Sequence, residues 1–391
     1  MDLTPLMDTE KKPDSSSASE LPVKRIGLIV NPIAGMGGAV GLKGTDGQII
    51  LNQARSLGAK PIAPARAESF LSELSPAKNH LKLVVGAGAM GEDETKRCGF
   101  TYTVVGEMKK ETSAEDTQAT AKSIKEAGVD LLVFCGGDGT ARDVLTAADL
   151  GLPVLGVPTG VKMHSAVFAV TPAAAARVTL RFLWDAVPLR EAEVMDVDEV
   201  AFREGHVSAK LYGHVLTPYE PHLIQENKVA SPMTENEVRN QAAIAIHIIE
   251  NMKPDVVYIV GPGTTTRTIG DLLDEKKTLL GVDLFYNKKI VARDVNEKQI
   301  LEHTQGKTAR IIVTPIGGQG FIFGRGNQQI SAKVIQQVGL DNIIIIATES
   351  KLRSLKSLRV DTGDPSMDNA LRAHSFRVSS DYKTERPMHV E

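Results

Sequence analysis

The sequence predicts an α/β protein with a doubly wound N-terminal domain and a mixed α/β C-terminal domain. Short apolar runs alternate with helical stretches from Val23 onward, as in parallel sheets whose strands are joined by helices. The apolar run Leu131–Phe134 leads directly into the glycine-rich stretch Gly136–Thr140, which is typical of a buried strand followed by a tight turn. After Thr171 the pattern changes to strands joined by short turns.

The N-terminal half alternates strands and helices in order. We expect strands at Ile26–Val30, Leu81–Val85, Tyr102–Val105, Leu131–Phe134 and Val154–Val157, and helices at Gln48–Leu57, Asp93–Cys98 and Ala114–Ala127. Gly128 stands where a left-handed glycine commonly ends a helix.

The C-terminal half mixes both kinds of element. Helices are expected at Ala173–Leu183 and Glu235–Asn251, and strands at Glu193–Glu199, His206–Leu211 and Tyr212–Thr217. An α/β rhythm resumes from Val256, through Thr268–Leu273, Leu280–Tyr286, Lys289–Val295, Glu297–Thr304, Ala309–Thr314, Ile343–Thr348 and Ser375–Ser379. We divide the chain into a disordered tail (1–22), a Rossmann-like domain (23–165), a mixed α/β domain (166–350) and a segment packing back on the body (351–391).

Composition excludes several classes of protein. The 391 residues are 42% hydrophobic and carry a net charge of −3 without a dense basic run, which argues against nucleic-acid binding. The run Ile343–Ala347 is far shorter than the ~20 residues of a membrane span. The two cysteines, Cys98 and Cys135, fit a reducing compartment. We therefore expect a cytoplasmic protein that binds neither nucleic acid nor membrane, and we also expect a homo-oligomer.

Gly136–Thr140 is the strongest functional signal. Its glycines let backbone N–H groups approach phosphate oxygens, and Asp138 is the one charged side chain at this strand end. A carboxylate beside a phosphate is repulsive unless a cation or a proton transfer justifies it, so the pattern suggests phosphoryl transfer. The alternative is a tight turn with Asp138 as a helix N-cap. The double glycine exceeds what a cap requires and favours function.

A second glycine-rich loop follows the first strand, Asn31–Gly38. Asn31 could hydrogen-bond a ribose or a phosphate, although a simple chain reversal is an equal alternative for this loop alone. In a parallel sheet both loops can lie at the same edge, which favours function. A Walker-type phosphate loop is missing, because Leu301 stands where Gly306-Lys307-Thr308 would need a preceding glycine.

A competing motif is Gly86–Gly91. It follows a strand, precedes a helix and has Glu107 at the end of the next strand, which satisfies the dinucleotide-binding fingerprint of dehydrogenases. The pattern is short, and no residue suited to hydride transfer stands out nearby. A dehydrogenase, part of another nucleotide pocket and a plain turn all remain open.

With these two loops the chain resembles the superfamily of NAD kinases, diacylglycerol and sphingosine kinases and, more distantly, 6-phosphofructokinases. Further stretches resemble the divergent ATP-NAD kinase-like branch related to the AcoX protein of acetoin catabolism, namely Met90-Gly91-Glu92, Gly156–Ser165, Asp196–Glu199, Leu211-Tyr212-Gly213, Gly261–Thr266 and Gly324–Ser331. The resemblance implies that Asp138 accepts the proton of the adenosine 2′-hydroxyl as this oxygen attacks the γ-phosphate of ATP. It also implies ATP and Mg²⁺, with NAD as acceptor.

The same resemblance implies a set of nucleotide-binding residues. They are Asn31, Gly35, Gly136, Gly137, Gly139, Thr140, Thr159, Gly160, Lys162, Asp198, Glu199, Gly263, Thr264, Thr265 and Thr266. Three positions depart from typical NAD kinases: Asp198 replaces an asparagine, Pro158 replaces another, and Pro262–Thr265 replaces Thr-Gly-Ser-Thr. These departures concern the substrate more than the fold.

Other residues have a functional and a structural interpretation. Lys162 could bind phosphate and His164 could steer a hydroxyl, whereas a histidine near apolar residues is usually structural. Glu199 could bind ribose or lie in a solvated acidic turn, and Thr264–Thr266 could bind phosphate or cap a helix. Arg325 and Asn327 could reach a phosphate or lie in a surface turn. Trp184 and Phe182–Leu183 are most simply core.

We predict an ATP- or polyphosphate-dependent kinase that phosphorylates a nucleotide hydroxyl, with the active site in the cleft between the domains and the 2′-hydroxyl of NAD as leading acceptor. One alternative is a kinase for another small hydroxyl or a lipid. Another is a nucleotide-binding protein without turnover that is linked to acetoin catabolism.

Overall fold

The N-terminal unit is built on a five-stranded parallel sheet with the strand order β3-β2-β1-β4-β5. The computed structural model describes residues 23–42, 48–159, 163–185, 187–197, 209–225 and 234–391. The strands are β1 (Lys24–Val30), β2 (Leu81–Gly86), β3 (Tyr102–Val105), β4 (Leu131–Gly136) and β5 (Val154–Pro158). The expected disordered tail, 1–22, lies outside the described residues.

Helices cover both faces of this sheet. They are α1 (Gln48–Ser56), α2 (Ala63–Leu74), α3 (Glu92–Arg97), α4 (Ala114–Glu126), α5 (Asp138–Ala148) and α6 (Pro172–Trp184). A capping box between Ser113 and Asp116 begins α4, and Gly128 follows its end with a φ of 70°, as predicted. Helix α2 is absent from the elements predicted above, although most of its buried apolar residues recur every three or four positions.

Two hydrophobic layers enclose the sheet. Leu28 and Val133 point into one layer, and Ile29 and Phe134 point into the other. This alternation buries every residue of β4, which explains its continuous apolar run. The predicted core role of Leu183 is confirmed, since it is buried in the first layer, whereas Phe182 and Trp184 are partly buried and pack against that layer.

A long antiparallel ribbon also packs on this unit. It consists of β6 (Leu189–Val197) and β7 (Ala209–Pro218), with Ala192, Val194 and Val215 in the layer that contains Phe134. The prediction of two strands divided near Tyr212 was wrong. Residues 209–218 form one strand, with a register irregularity beside Met195. Because described residues between 166 and 225, such as Val178, Val194 and Ile224, share the first unit's core, we propose that the domain boundary lies after Gln225 rather than at 165.

The second unit holds a seven-stranded mixed sheet with the order β10-β9-β8-β11-β13-β15-β16. Its strands are β8 (Val257–Val260), β9 (Asp283–Tyr286), β10 (Lys289–Ala292), β11 (Ala309–Val313), β13 (Ile343–Ile346), β15 (Phe376–Asp381) and β16 (Thr384–Met388). A separate parallel pair, β12 (Phe321–Phe323) and β14 (Arg359–Val360), lies beside it. The predicted α/β fold class, with a parallel first sheet and a mixed second sheet, is confirmed.

Six α-helices accompany the second sheet in the part of the chain that the structure describes. They are α7 (Glu235–Glu250), α8 (Thr264–Leu272), α9 (Glu297–Thr304), α10 (Ala332–Val338), α11 (Glu349–Arg353) and α12 (Pro365–Ala373). Within the described residues, no helix is long and apolar enough to cross a membrane.

Candidate active site

The site lies where β1 and β4 end side by side. The Nδ2 group of Asn31 donates a hydrogen bond of 2.9 Å to Oγ1 of Thr140, and the Asn31 N–H donates to the carbonyl of Cys135 at 3.0 Å. Parallel neighbours end at the same sheet edge, so the loop after each strand can meet the other. The structure therefore brings together the two glycine-rich loops singled out in the sequence.

The glycines of these loops differ in whether there is room for a side chain. A Cβ on Gly136 would lie 2.4 Å from Cβ of Thr140, and a Cβ on Gly35 would lie 2.1 Å from the carbonyl oxygen of Thr159. Gly35 also has a φ of +79°, which favours glycine. A Cβ on Gly137, by contrast, would meet nothing within 4 Å. Gly35 and Gly136 are required by packing, whereas the position beside Gly137 is open.

Asp138 is the first residue of α5 but does not cap it. The N-cap position is Gly137, and no side-chain cap is formed. The carboxylate of Asp138 turns instead toward the segment after β5, where it accepts hydrogen bonds from the N–H of His164 (2.7 Å) and the N–H of Ser165 (3.0 Å). It also accepts one from the hydroxyl of Ser165 (2.6 Å). The N-cap interpretation of Asp138 is therefore wrong.

The pKa of the Asp138 carboxyl group is shifted toward neutral pH. Only 7% of the residue is exposed, and this burial raises the pKa of its carboxyl from 3.8 to about 6. The hydrogen bonds from Ser165 and His164 lower the pKa and partly oppose that rise, while the nearby charge of Asp196 raises it further. A carboxylate with a pKa of this kind suits acid–base chemistry.

The three donors among the described residues leave one acceptor position open on the Asp138 carboxylate. Its Oδ1 atom accepts two hydrogen bonds and its Oδ2 atom accepts one among the described residues. Each carboxylate oxygen offers two lone pairs. The remaining acceptor position is therefore on Oδ2, where a substrate hydroxyl could donate.

The segment that holds Asp138 is itself held firmly. The Met163 carbonyl accepts from Nε2 of Gln225 at 2.7 Å, and the Ala166 N–H donates to the Glu193 carbonyl at 2.9 Å. The Phe168 ring packs edge-on against Phe134, with ring centroids 5.3 Å apart. Residues 163–168 are thus fastened to the strands on either side.

From the sequence no role was predicted for Ser165, and for His164 the pattern drew attention to the side chain rather than the backbone N–H. His164 was considered for its ring, but its backbone N–H is what binds Asp138. Ser165 received no role, although it closes the stretch Gly156–Ser165 that carried part of the family resemblance. A serine directly after a predicted ligand loop was the available signal.

Asp196 is a further charged neighbour at the end of β6. Its Oδ2 atom pairs with Nη1 of Arg142 at 2.8 Å, and the guanidinium of Arg142 lies 5.5 Å from the centre of the Tyr212 ring. This pair sits between α5 and the ribbon. The predicted ligand residues Gly160, Lys162, Asp198 and Glu199 lie outside the described residues.

Thr159 joins the first group through its backbone. Its N–H donates to the Gly136 carbonyl at 3.2 Å, and its side chain is buried. The structure therefore assembles Asn31, Gly35, Thr159 and the Gly136–Thr140 loop at one sheet edge.

The predicted Gly263–Thr266 loop belongs to the second unit, at the start of α8. The Thr266 hydroxyl lies 2.8 Å from the Gly261 carbonyl and 3.0 Å from that of Gly263, so it is used within the loop. Thr264 is exposed and Thr265 is buried. A nucleotide contact by this loop remains a prediction, with backbone N–H groups at the helix start as the means.

Arg325 and Asn327 have structural partners. Arg325 is buried, its Nη2 group donates to the Val170 carbonyl at 2.7 Å, and its Nε lies 3.4 Å from Asp361. Asn327 bridges the Gly324 N–H and the Ile322 carbonyl. The surface-turn interpretation was wrong, and these contacts argue against a phosphate role.

In the competing Gly86–Gly91 motif, a side chain of the protein occupies the backbone donor that a dinucleotide would use. The Gly88 N–H donates to Oε2 of Glu92 at 2.8 Å, so a carboxylate stands at the N–H that a dinucleotide phosphate would require. The following helix, α3, has only six residues, and Glu107 is exposed. This geometry argues against a dehydrogenase.

Comparison with known proteins identifies the family. The ATP-NAD kinase N-terminal domain matches residues 26–186, and the ATP-NAD kinase C-terminal domain matches residues 253–386. No curated protein matches the chain.

Among solved structures, a diacylglycerol kinase candidate from Bacillus anthracis str. Sterne is similar at 16% identity and a TM-score of 0.25. The match covers 45% of this chain and 46% of that one, so the chain spans about half the length of this relative. The two domain matches, by contrast, cover most of the chain in the order that the two structural units follow. The chain belongs to the ATP-NAD kinase family of phosphotransferases.

Proposed function

We propose that this protein is a kinase that transfers a phosphoryl group from ATP or polyphosphate to a nucleotide hydroxyl, with the 2′-hydroxyl of NAD as the leading acceptor. The observation that carries the proposal is Asp138. It is a buried carboxylate in one glycine-rich loop and near the other, it has one open acceptor position among the described residues, and its pKa is raised to about 6.

In the proposed reaction the acceptor hydroxyl donates to Oδ2 of Asp138. As its oxygen forms a bond to the terminal phosphorus, its proton passes to the carboxylate. The bond from that phosphorus to the bridging oxygen breaks, and the electron pair stays on the leaving ADP or the shortened polyphosphate. Positioning and electrostatic stabilisation dominate such transfers, and the oriented base adds to them.

The glycine-rich loops would bind the donor. The start of α5 presents backbone N–H groups, the space beside Gly137 is open, and Asn31 lies against Thr140. Mg²⁺ usually keeps several waters and binds through substrate phosphates, so we propose that it is held mainly by the donor. Its chemistry would be to offset the negative charge of the phosphates.

The finer assignments also belong to this proposal. We assign the chain to the AcoX-related branch because of the stretches that resemble it, namely Met90-Gly91-Glu92, Gly156–Ser165, Asp196–Glu199, Leu211-Tyr212-Gly213, Gly261–Thr266 and Gly324–Ser331. We further propose a cytoplasmic homo-oligomer. A lipid or small-polyol kinase and a nucleotide-binding protein without turnover are the alternatives that an acceptor screen separates.

The test is an acceptor and donor screen with purified protein. ATP or polyphosphate and Mg²⁺ are combined with NAD, NADH, nucleosides, glycerol-type polyols and diacylglycerol, and products are identified by mass spectrometry. Formation of NADP is expected. Product from another hydroxyl alone would replace NAD as acceptor, and tight nucleotide binding without product from any pair would sink the kinase assignment.

A further inference from the structure

Ser165 connects the carboxylate of Asp138 to β6. The residue is fully buried, and its Oγ atom lies 2.6 Å from Oδ1 of Asp138. The same Oγ atom lies 2.9 Å from the Met195 carbonyl oxygen and accepts a hydrogen bond from the Met195 N–H at 3.0 Å. One hydroxyl is therefore shared between the proposed base and the strand that leads toward Asp198 and Glu199.

A serine hydroxyl has a single proton and cannot serve two acceptors at once. Both oxygen atoms, Oδ1 of Asp138 and the Met195 carbonyl oxygen, are within hydrogen-bond distance of it. A bond to an ionised carboxylate is stronger than a bond to a neutral carbonyl, which agrees with the shorter of the two distances. Loss of the carboxylate charge removes this preference.

We propose that Ser165 is a positioning residue for Asp138, with a hydroxyl that points to the ionised carboxylate and turns to the Met195 carbonyl when Asp138 takes up a proton. The accompanying Met195 N–H bond to Oγ holds the oxygen in place in both arrangements. No buried donor loses its acceptor when the proton moves. The relevance of this switch to turnover rests on the proposed phosphoryl transfer, whereas the switch itself does not.

Among the described residues, three titratable or charged groups lie close to this pair. Asp196 comes from β6 and its charge favours protonation of Asp138, while Arg142 comes from α5 and pairs with Asp196. His164 lies in the same segment as Ser165 and gives its N–H to Oδ2. Ser165 is the side chain that donates directly to the Asp138 carboxylate.

The experiment follows the titration of Asp138 directly, without turnover. Protein labelled with ¹³C at the aspartate carboxyl carbons is titrated by NMR, and the Asp138 signal is the one missing from Asp138→Asn. In Ser165→Ala the ionised form loses its hydroxyl donor, so the midpoint is expected to rise by about one pH unit. Ser165→Cys keeps the shape with a weaker donor and is expected to give a smaller rise.

Ser380→Ala is the matched control. Ser380 is also fully buried, and its hydroxyl makes no hydrogen bond among the described residues. A general effect of lost packing would therefore change the Asp138 midpoint in both Ser165→Ala and Ser380→Ala. We expect the midpoint to shift only in Ser165→Ala. An unchanged midpoint in both Ser165→Ala and Ser165→Cys would overturn the proposed role.

The two proposals can fail separately. A shifted midpoint in a protein that phosphorylates no acceptor would leave the role of Ser165 standing and remove the kinase assignment. If the protein is active but Asp138 has the same titration midpoint in the wild type and in Ser165→Ala, the kinase assignment stands and the role of Ser165 is removed. If the protein is active, the acidic limb of its pH–rate profile should move in Ser165→Ala in the same direction as the NMR midpoint.

Discussion

The side chains of Asn31 and Thr140, 109 positions apart in sequence, are joined by a hydrogen bond of 2.9 Å. Thr140 is buried and packs so closely under Gly136 that a side chain there would overlap it. The bond therefore fixes the distance between the loop after β1 and the loop after β4. The shape of the proposed donor site depends on this distance.

Thr140→Val should weaken donor binding because it removes the acceptor of the Asn31 amide in a buried setting. We expect a loss of about 1 kcal/mol, or roughly fivefold in the Kd of ATP. Thr140→Ser keeps the hydroxyl and should bind like the wild type. Titration calorimetry compares the two, and equal losses in both variants would contradict a role for the hydroxyl bond.

Alanine at the two neighbouring glycines should give opposite results. Gly136→Ala places a methyl group 2.4 Å from Thr140 and should lower the free energy of unfolding by about 1–3 kcal/mol. Gly137→Ala meets no atom within 4 Å and should fold normally, yet raise the KM for the donor by roughly tenfold. Urea denaturation and donor saturation curves measure both effects. Normal donor kinetics in Gly137→Ala would show that phosphate does not approach this position.

Asp138→Asn should lower turnover by about 10²–10⁴, the usual contribution of a positioned acid–base group. The substitution also disturbs the local hydrogen bonds, because the NH₂ group of the new asparagine must face the N–H of either His164 or Ser165. ATP binding and thermal melting are therefore measured in parallel. Asp143→Asn, a buried carboxylate on the same helix, serves as control and should keep its activity. Near-full turnover in Asp138→Asn would remove this residue from the mechanism.

The stability of the protein should carry an unusual pH dependence from Asp138. Its pKa is raised from 3.8 to about 6 on folding, so between these values the folded state binds the proton that the unfolded state releases. This contribution to the free energy of unfolding is largest below pH 4, falls as pH rises and levels off above pH 6. A shift of this size corresponds to about 3 kcal/mol. Denaturation curves across this range should show the free energy of unfolding of the wild type falling relative to that of Asp138→Asn, because groups such as Glu94, whose pKa burial also raises, contribute equally to both proteins.

Asp361 of the second unit pairs with one arginine of the first unit and lies beside one of its own unit. It pairs with Arg66 of α2 and lies 3.4 Å from Arg325, whose pKa burial lowers to about 10. Asp361→Ala leaves a buried guanidinium unpaired and should cost about 3–5 kcal/mol. Glu235→Gln, which breaks the exposed pair with Arg239, should cost less than about 0.5 kcal/mol. Similar urea midpoints for both variants would contradict the importance of the buried pair.

The local sequence pattern was sufficient to predict much of the fold and part of the site. The apolar run of β4 and the glycines after it indicated the strand, the turn and the place of Asp138, because period and turn chemistry act over a few residues. The partners of Asp138 were beyond such reasoning, since Ser165 lies 27 positions away and is brought close only by packing. The surface-turn interpretation of Arg325 was wrong for the same reason, because its buried guanidinium binds the Val170 carbonyl, 155 positions away.

The contact between Arg325 and Val170 ties the C-terminal unit to the end of the segment that holds Asp138. The guanidinium binds the Val170 carbonyl at 2.7 Å and reaches Sδ of Met163 at 4.0 Å, so it supports both ends of the stretch containing Ser165. A protein shortened after Gln225 would retain both glycine-rich loops and Asp138 but not this external brace. The second unit thus supports the position of Asp138 from outside, and a shortened protein without the second sheet would need another group in place of Arg325.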